Sequence, residues 1–192
     1  MIANEQCSNL TDEDLVIKTL ADQEFYYCLV VRYEQALKRY VSRITNVGDE
    51  EVEDILQNVF LKAYLNLNDF DPSLKFSSWL YRIAHNEVVS NHRKRLSRHV
   101  GETLPLDDWL GLSSGHSLEN ELDLTLTREQ LAKILSLLDK KYQEVLILKY
   151  IEEKDYLEIS DILQKPMGTI ATLMNRAKKQ FKTLAKKHEI KF

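Results

Sequence analysis

The chain is poor in the residues that break helices. Its 192 residues include five glycines and three prolines, and its strand signature is weak. A sandwich or barrel built on regularly spaced turn signals is therefore not expected, and a mostly helical protein is. No apolar run approaches eighteen residues, which argues against a membrane span. The N-terminal stretch is acidic (Glu5, Asp12, Glu13, Asp14) and lacks the basic-then-apolar order of a signal peptide. The two cysteines, Cys7 and Cys28, have no metal-ligand spacing. They read as reduced thiols of a cytoplasmic protein. No nucleophile–base pair, phosphate-binding glycine loop or metal cluster stands out, so neither an enzyme nor a cofactor or metal is expected. What is present is 44% hydrophobic and 29% charged residues, enough for real cores in a soluble chain. This length suits one large domain or two small ones.

The net charge of −4 is unevenly spread. Residues 1–24 hold one lysine and six acids, a charge of −5. Residues 96–129 hold two arginines and seven acids, again −5. Residues 165–192 hold eight basic residues and one acid, +7. That basic end is the local footprint of phosphate contacts, although the whole chain is acidic.

Helical spacing runs from Thr11 to about Arg43, with a break near Ala21–Gln23. Asn46–Val47–Gly48 reads as a turn, and Asp49 as a cap for the next helix. Residues 97–125 contain three of the five glycines and scattered acids, and read as a flexible acidic linker. Leu104–Leu112 is either a docking segment or a sticky part of that linker. The expectation is an all-α chain: one helical domain at 10–96, the linker, and a second helical domain at 126–190.

Two blocks carry the chemistry. In the first, YLEISDILQKPMGTIATLMNRAKKQFKTL (156–184), Ile170, Leu173, Met174, Ala177, Phe181 and Leu184 gather on one side of a helix. Thr172, Asn175, Arg176, Lys179 and Lys182 fall on the other side with Ala171. Lys165-Pro166-Met167-Gly168 reads as a tight turn between two short helices, with Thr169 able to cap the second. That arrangement is a helix-turn-helix, whose second helix enters a major groove. Thr172 and Asn175 suit base edges, and Arg176, Lys178, Lys179 and Lys182 suit phosphates. An ordinary amphipathic helix with a solvated basic face is the plainer alternative.

The other block, DILQNVFLKAYLNLNDFDPSLKFSSWLYRIAHNEVVSNHRKR, spans 54–95. Ile55, Leu56, Val59, Phe60, Ala63, Tyr64 and Leu67 form a wide apolar stripe. The opposite face mixes Asp54, Gln57 and Asn58 with Leu61 and Leu65. Two leucines one turn apart, ringed by amides and an acid, point to a protein interface or to a helix covered on both sides. The next helix, from near Ser77 to about Arg95, turns Trp79, Leu80, Ile83, Ala84 and Val88 inward. Arg82, His85, Asn86, Val89 and Arg93 share its outward face. In the intervening loop, Phe70 with Lys75 offers a ring and a cation to an unstacked base. Phe76 and Trp79, taken alone, read as core, and His85 and His92 as surface histidines.

Together the blocks resemble the extracytoplasmic-function (ECF) group of the sigma-seventy family. The resemblance is carried by LVVRYEQALKRYVSRI, DILQNVFLKAYLNL and FSSWLYRIAHN, then LLDKKYQEVLILKY followed by YLEISDILQKPMGTI. It implies a promoter-specificity subunit made of sigma regions two and four. Its partners would be core RNA polymerase, promoter DNA (duplex and melted non-template strand) and an anti-sigma factor. Asp54, Gln57, Asn58, Leu61 and Leu65 would face the clamp helices of the polymerase. Phe70, Lys75, Trp79, Arg82, Asn86 and Arg93 would serve the minus-ten element, with a flipped base held near Phe70 and Asn86. Thr169, Ala171, Thr172, Asn175, Arg176 and Lys179 would face the minus-thirty-five element. Family members often carry arginine where this chain has Ala171 and Leu173, so its minus-thirty-five sequence does not follow from the resemblance. Two rivals predict different behaviour. A free-standing helix-turn-helix regulator binds DNA without polymerase, usually as a dimer. A helical adaptor with a merely solvated tail binds DNA only weakly, and not at moderate salt.

Overall fold

The computed structural model describes residues 7, 9–45, 47–98 and 128–188. The expected linker at 97–125 therefore falls almost wholly outside the described residues, as do Asn46 and Leu104–Leu112. Among the described residues every regular element is helical. Helix α1 (Asp12–Ala21) is followed by a 3-10 turn (Gln23–Phe25), then α2 (Tyr26–Ile44), α3 (Asp49–Leu65) and α4 (Phe76–Arg98). Beyond the linker come α5 (Arg128–Ser136), α6 (Lys140–Tyr150), α7 (Tyr156–Leu163) and α8 (Met167–Lys187).

Local chemistry explains most of the boundaries. Thr11 and Asp14 form a reciprocal capping box at the start of α1. Asp22 ends that helix and its carboxylate caps the following 3-10 turn, which is the break expected near Ala21–Gln23. Asp49 does not cap α3: Gly48 occupies the cap position, and Asp49, Glu50 and Glu51 fill the first turn, where their charge suits the helix dipole. Phe76 rather than Ser77 starts α4.

In the first half, α2, α3 and α4 pack around Leu29, Leu37, Val41, Ile55, Val59, Leu80, Ala84 and Val88. Helix α1 closes one side through Leu15 and Val16. In the second half, Ile134, Leu138, Ile147 and Leu148 meet Ile159, Ile162, Ile170, Met174 and Phe181. Each side chain on these lists is at most a few per cent exposed, and burying one aliphatic of this size contributes roughly 1.5–3 kcal/mol before entropy is counted.

The expectation of free thiols is overturned. Cys7 and Cys28 form a disulfide, with Cα atoms 5.3 Å apart. The chain returns to α2 at Cys7 and Leu10: Arg32 donates to the carbonyls of Cys7 (2.6 Å) and Leu10 (2.9 Å) while pairing with Asp12. The spacing of the two cysteines carries no hint of that return.

Candidate nucleic-acid interface

The helix-turn-helix forms as expected in outline, but its turn differs in detail. Asp155 and Glu158 build a second capping box at the head of α7. Gln164 ends that helix in a left-handed conformation (φ 52°), a role usually given to glycine. Pro166 is the cap residue of α8, so Gly168 lies inside the first turn of that helix rather than in the loop. Thr169 consequently does not cap α8. It is exposed in the first turn, and its amide donates to the Pro166 carbonyl at 2.8 Å.

Helix α8 buries Ile170, Met174, Ala177, Phe181 and Ala185, while Leu173 is half-buried. Thr169, Thr172, Asn175, Arg176 and Lys179 are all exposed on its other side, with Ala171 half-buried beside them. Thr172 keeps one bond within the helix, donating to the Gly168 carbonyl at 2.9 Å. Lys178 sits 5.6 Å from the Tyr150 ring centroid, which draws it towards the domain's own surface.

On α3 the polar–leucine face is also open. Asp54, Gln57 and Asn58 are exposed, and Leu61 and Leu65 are 55% and 66% exposed. Beside it, Tyr26, Tyr27, Val30, Phe60, Leu61 and Tyr64 line an open, mainly apolar groove. Tyr64, expected on the buried stripe of α3, is instead 38% exposed, and Tyr26 and Tyr27 were not anticipated here. The signal available was Tyr27, which falls off the buried stripe of α2.

The minus-ten candidates divide. Asn86 and Arg93 are exposed on α4. Phe70, read as the free stacking ring, is instead buried. Its ring meets Phe76 edge-on at 5.5 Å and Trp79 at 5.4 Å, and Phe76 in turn meets Tyr33 at 5.8 Å. The 3-10 turn Leu67–Asp69 folds the loop back onto the core and delivers Phe70 to this cluster. Trp79 is core, as its spacing alone suggested.

Lys75 and Arg82 point at the second domain. Arg82 pairs with Asp161 at 2.5 Å, and Lys75 lies 3.4 Å from Glu158 and 3.5 Å from Asp155. Around them Ser78 donates to Glu158, and Lys154 donates to Ser77. Helix α7 thus lies along α4, and acidic side chains stand beside the cations that the resemblance gives to DNA phosphates.

A more deeply buried group of polar side chains completes this contact. Arg43 pairs with Glu152 at 2.9 Å, and the two side chains are 9% and 7% exposed. Tyr81 donates to the other Glu152 oxygen at 2.7 Å. Burial pushes the Glu152 carboxyl up, opposed by the Tyr81 hydrogen bond and the Arg43 charge. Burial likewise lowers the Arg43 guanidinium. Lys140 donates to the Ile44 carbonyl at 2.6 Å, and burial, only partly opposed by Glu144, lowers its ammonium to about 7. His85 is not a surface histidine: its side chain is largely covered, 3.7 Å from Glu144. None of these partners was anticipated, because each links residues more than fifty positions apart. The only hint was the run of acids at 152–161 set against the basic face of α4.

Among the described residues no group of His, Cys, Asp or Glu could hold a metal ion. No helix among them is long and apolar enough to cross a membrane.

Comparison with known proteins fits this architecture. The family profile described as sigma-70 region 2 matches residues 29–98, and that described as sigma-70, region 4 matches 128–181. The ECF RNA polymerase sigma factor SigW of Bacillus subtilis is 36% identical over 166 residues, covering 82% of this chain and 87% of that protein. The ECF RNA polymerase sigma-E factor of Escherichia coli K12 is 30% identical over 177 residues, covering 88% of this chain and 91% of its own length. The solved structure of CnrH with the cytosolic domain of CnrY shares the fold at TM-score 0.64 and 22% identity, over 91% of this chain and 97% of that one. The sigma factor RpoE of Bartonella quintana, solved with the anti-sigma factor NepR, does so at 0.63 and 24%, over 88% of this chain and 98% of that one. The chain belongs to the extracytoplasmic-function sigma factors of the sigma-70 family.

Proposed function

We propose that the protein works as a non-catalytic promoter-specificity subunit in the cytoplasm, guiding core RNA polymerase to two promoter elements and helping to open the second. The observation that carries this reading is one chain with two open faces of different chemistry: the leucine–amide face of α3 and the hydroxyl–amide–cation face of α8. The first suits the polymerase, through Asp54, Gln57, Asn58, Leu61 and Leu65. The second suits the minus-thirty-five duplex, through Thr169, Ala171, Thr172, Asn175, Arg176 and Lys179. Region two spans about 10–96 and region four 126–190 in this reading.

The minus-ten residues then need a change of state. Lys75 and Arg82 must exchange Glu158, Asp155 and Asp161 for phosphates, so α7 must leave α4. Phe70 must also loosen from Phe76 and Trp79 before it can stack on a base, or else support the pocket from behind. Extruding a base costs a few kcal/mol. Stacking offsets this by roughly 1–3 kcal/mol per base. An anti-sigma factor, the partner present in the Bartonella quintana structure, would act by preventing this exchange or by covering α3.

In vitro transcription from a fragmented genomic library, with core polymerase and with or without the protein, tests the reading. Discrete new starts sharing two upstream motifs at fixed spacing are expected. Asn86→Ala should reduce open-complex formation while leaving core binding intact. DNA binding by the protein alone, with no new starts, would instead identify a free-standing regulator.

A further inference from the structure

We propose that Cys7 and Cys28 form a reversible thiol–disulfide exchange site whose oxidised state pins the N-terminal segment and helix α1 onto region two. The proposal rests on the cytoplasmic placement proposed above, but not on the assignment of DNA-reading residues. It rests first on the pairing itself: both cysteines of the chain are joined to each other. In reducing compartments, protein disulfides are usually transient and serve catalysis or redox sensing.

The second support is what the bond holds. Cys28 lies in the first turn of α2, 1% exposed, and Cys7 is 7% exposed beyond the head of α1. Arg32, one turn further along α2, grips the same strip through the carbonyls of Cys7 and Leu10 and the carboxylate of Asp12. Asp12 also accepts from the Tyr33 hydroxyl, and the Tyr33 ring meets Phe76. The covalent link and the Arg32 contacts therefore fasten one strip of chain, which leads directly into the first turn of α1. Without the link, the capping contacts, the Arg32 and Tyr33 bonds and apolar side chains such as Leu15 and Val16 remain to hold that helix.

The exchange partner is a protein dithiol of the thioredoxin type. Its thiolate attacks the Cys7 sulfur, the more exposed of the two, forming an intermolecular disulfide as the Cys7–Cys28 bond breaks. Cys28 leaves as a thiolate and takes up a proton. The partner's second thiol, deprotonated, then attacks its own sulfur in the mixed disulfide and releases Cys7, which is protonated in turn. The protein gains two electrons and two protons, and the partner leaves as a disulfide. Re-oxidation runs through the reverse exchange with a low-molecular-weight disulfide such as oxidised glutathione.

The test uses the full-length protein, equilibrated in mixtures of reduced and oxidised dithiothreitol, quenched with an alkylating agent and weighed intact. Thioredoxin in parallel samples provides the reference. Both cysteines should become alkylated together, over the range in which thioredoxin is also reduced, and oxidised glutathione should restore the bond. A disulfide that survives where thioredoxin is fully reduced would overturn the proposal in favour of a fixed brace. So would a pair that fails to form under oxidising conditions. Hydrogen exchange supplies the second readout. Amides of α1 should exchange several-fold faster in the reduced protein and in Cys7→Ser than in the oxidised protein. Equal rates in all three would overturn the claim that the bond pins α1. Cys7→Ser is preferred to a change at Cys28, because Cys7 is the less deeply buried of the two.

Discussion

Glu152→Gln should loosen the contact between the two domains far more than any surface substitution. The carboxylate accepts from Arg43 and Tyr81, and both the Arg43 and Glu152 side chains are nine-tenths or more buried, so solvent screening gives little discount. Removing one partner of such a pair typically costs 3–5 kcal/mol. Glutamine retains an amide oxygen that can accept from either neighbour, so the lower end of that range, about 3 kcal/mol, is the expected value. When the domains part, Arg43 meets water and the penalty disappears, so it falls on the closed arrangement alone. At about 1.4 kcal/mol per tenfold, the open population should rise roughly a hundredfold. Tyr81 reports this directly. It is 4% exposed, with Glu152 at its hydroxyl and the Lys154 ammonium 4.7 Å from its ring centroid. Its rate of oxidation in hydroxyl-radical footprinting should rise in proportion to the open population. Lys38→Ala, which breaks an exposed pair with Glu53, should leave that rate unchanged. A rise of less than about tenfold for Glu152→Gln, equivalent to under 1.4 kcal/mol, would refute the claim that this buried pair strongly favours the closed contact.

Three further outcomes are expected. Lys179→Ala should weaken promoter binding by holoenzyme and lower its log–log salt slope by about 0.9 if the side chain meets one phosphate; an unchanged slope would remove it from the DNA face. Lys140 is neutral in the folded protein above about 7, whereas the unfolded chain keeps its proton to near its ordinary value of 10.5. Unfolding therefore takes up a proton in that window, so stability should rise with pH from about 7 to 9.5, by up to about 1.4 kcal/mol per pH unit from this group. Lys154, also lowered by burial, acts in the same direction, so chemical denaturation of Lys140→Met should show a shallower rise rather than none. Glu153 is exposed and holds a left-handed backbone conformation (φ 53°) in the turn between α6 and α7. Glu153→Gly should stabilise by about 1 kcal/mol. In calorimetry that corresponds to a rise of roughly 2–4 °C.

Periodicity sufficed where a helix owes its burial to its own domain. The stripes Ile55–Val59–Ala63 and Ile170–Met174–Ala177 fall where their spacing put them, as does the exposed face of α8. The open leucines of α3 were also legible, because they break an otherwise polar face. Features that depend on where the chain returns were not. Phe70 lies in a stretch rich in polar residues and reads as a loop ring, but a single 3-10 turn is enough to bury it. Arg82 sits on a polar helix face that suits DNA as well as it suits Asp161, and only the fold selects the acid. Cys7 and Cys28, separated by 21 positions, carry no local pattern that distinguishes a bonded pair from two thiols. Gln164 takes a position that sequence rules give to glycine, and the turn spans 164–166 rather than the expected 165–168.

The closed contact is built from α2, α4 and the second domain, and none of its ion pairs or hydrogen bonds described above involves α3. Leu61 and Leu65 therefore remain open while Lys75 and Arg82 are engaged. On the proposed assignment, this separation imposes an order of events. The polymerase can take hold of the closed protein, whereas minus-ten reading must wait until α7 leaves α4. Unattached copies would thus have Lys75 and Arg82 already occupied, and would be poorly equipped to hold melted minus-ten DNA before a polymerase is in place.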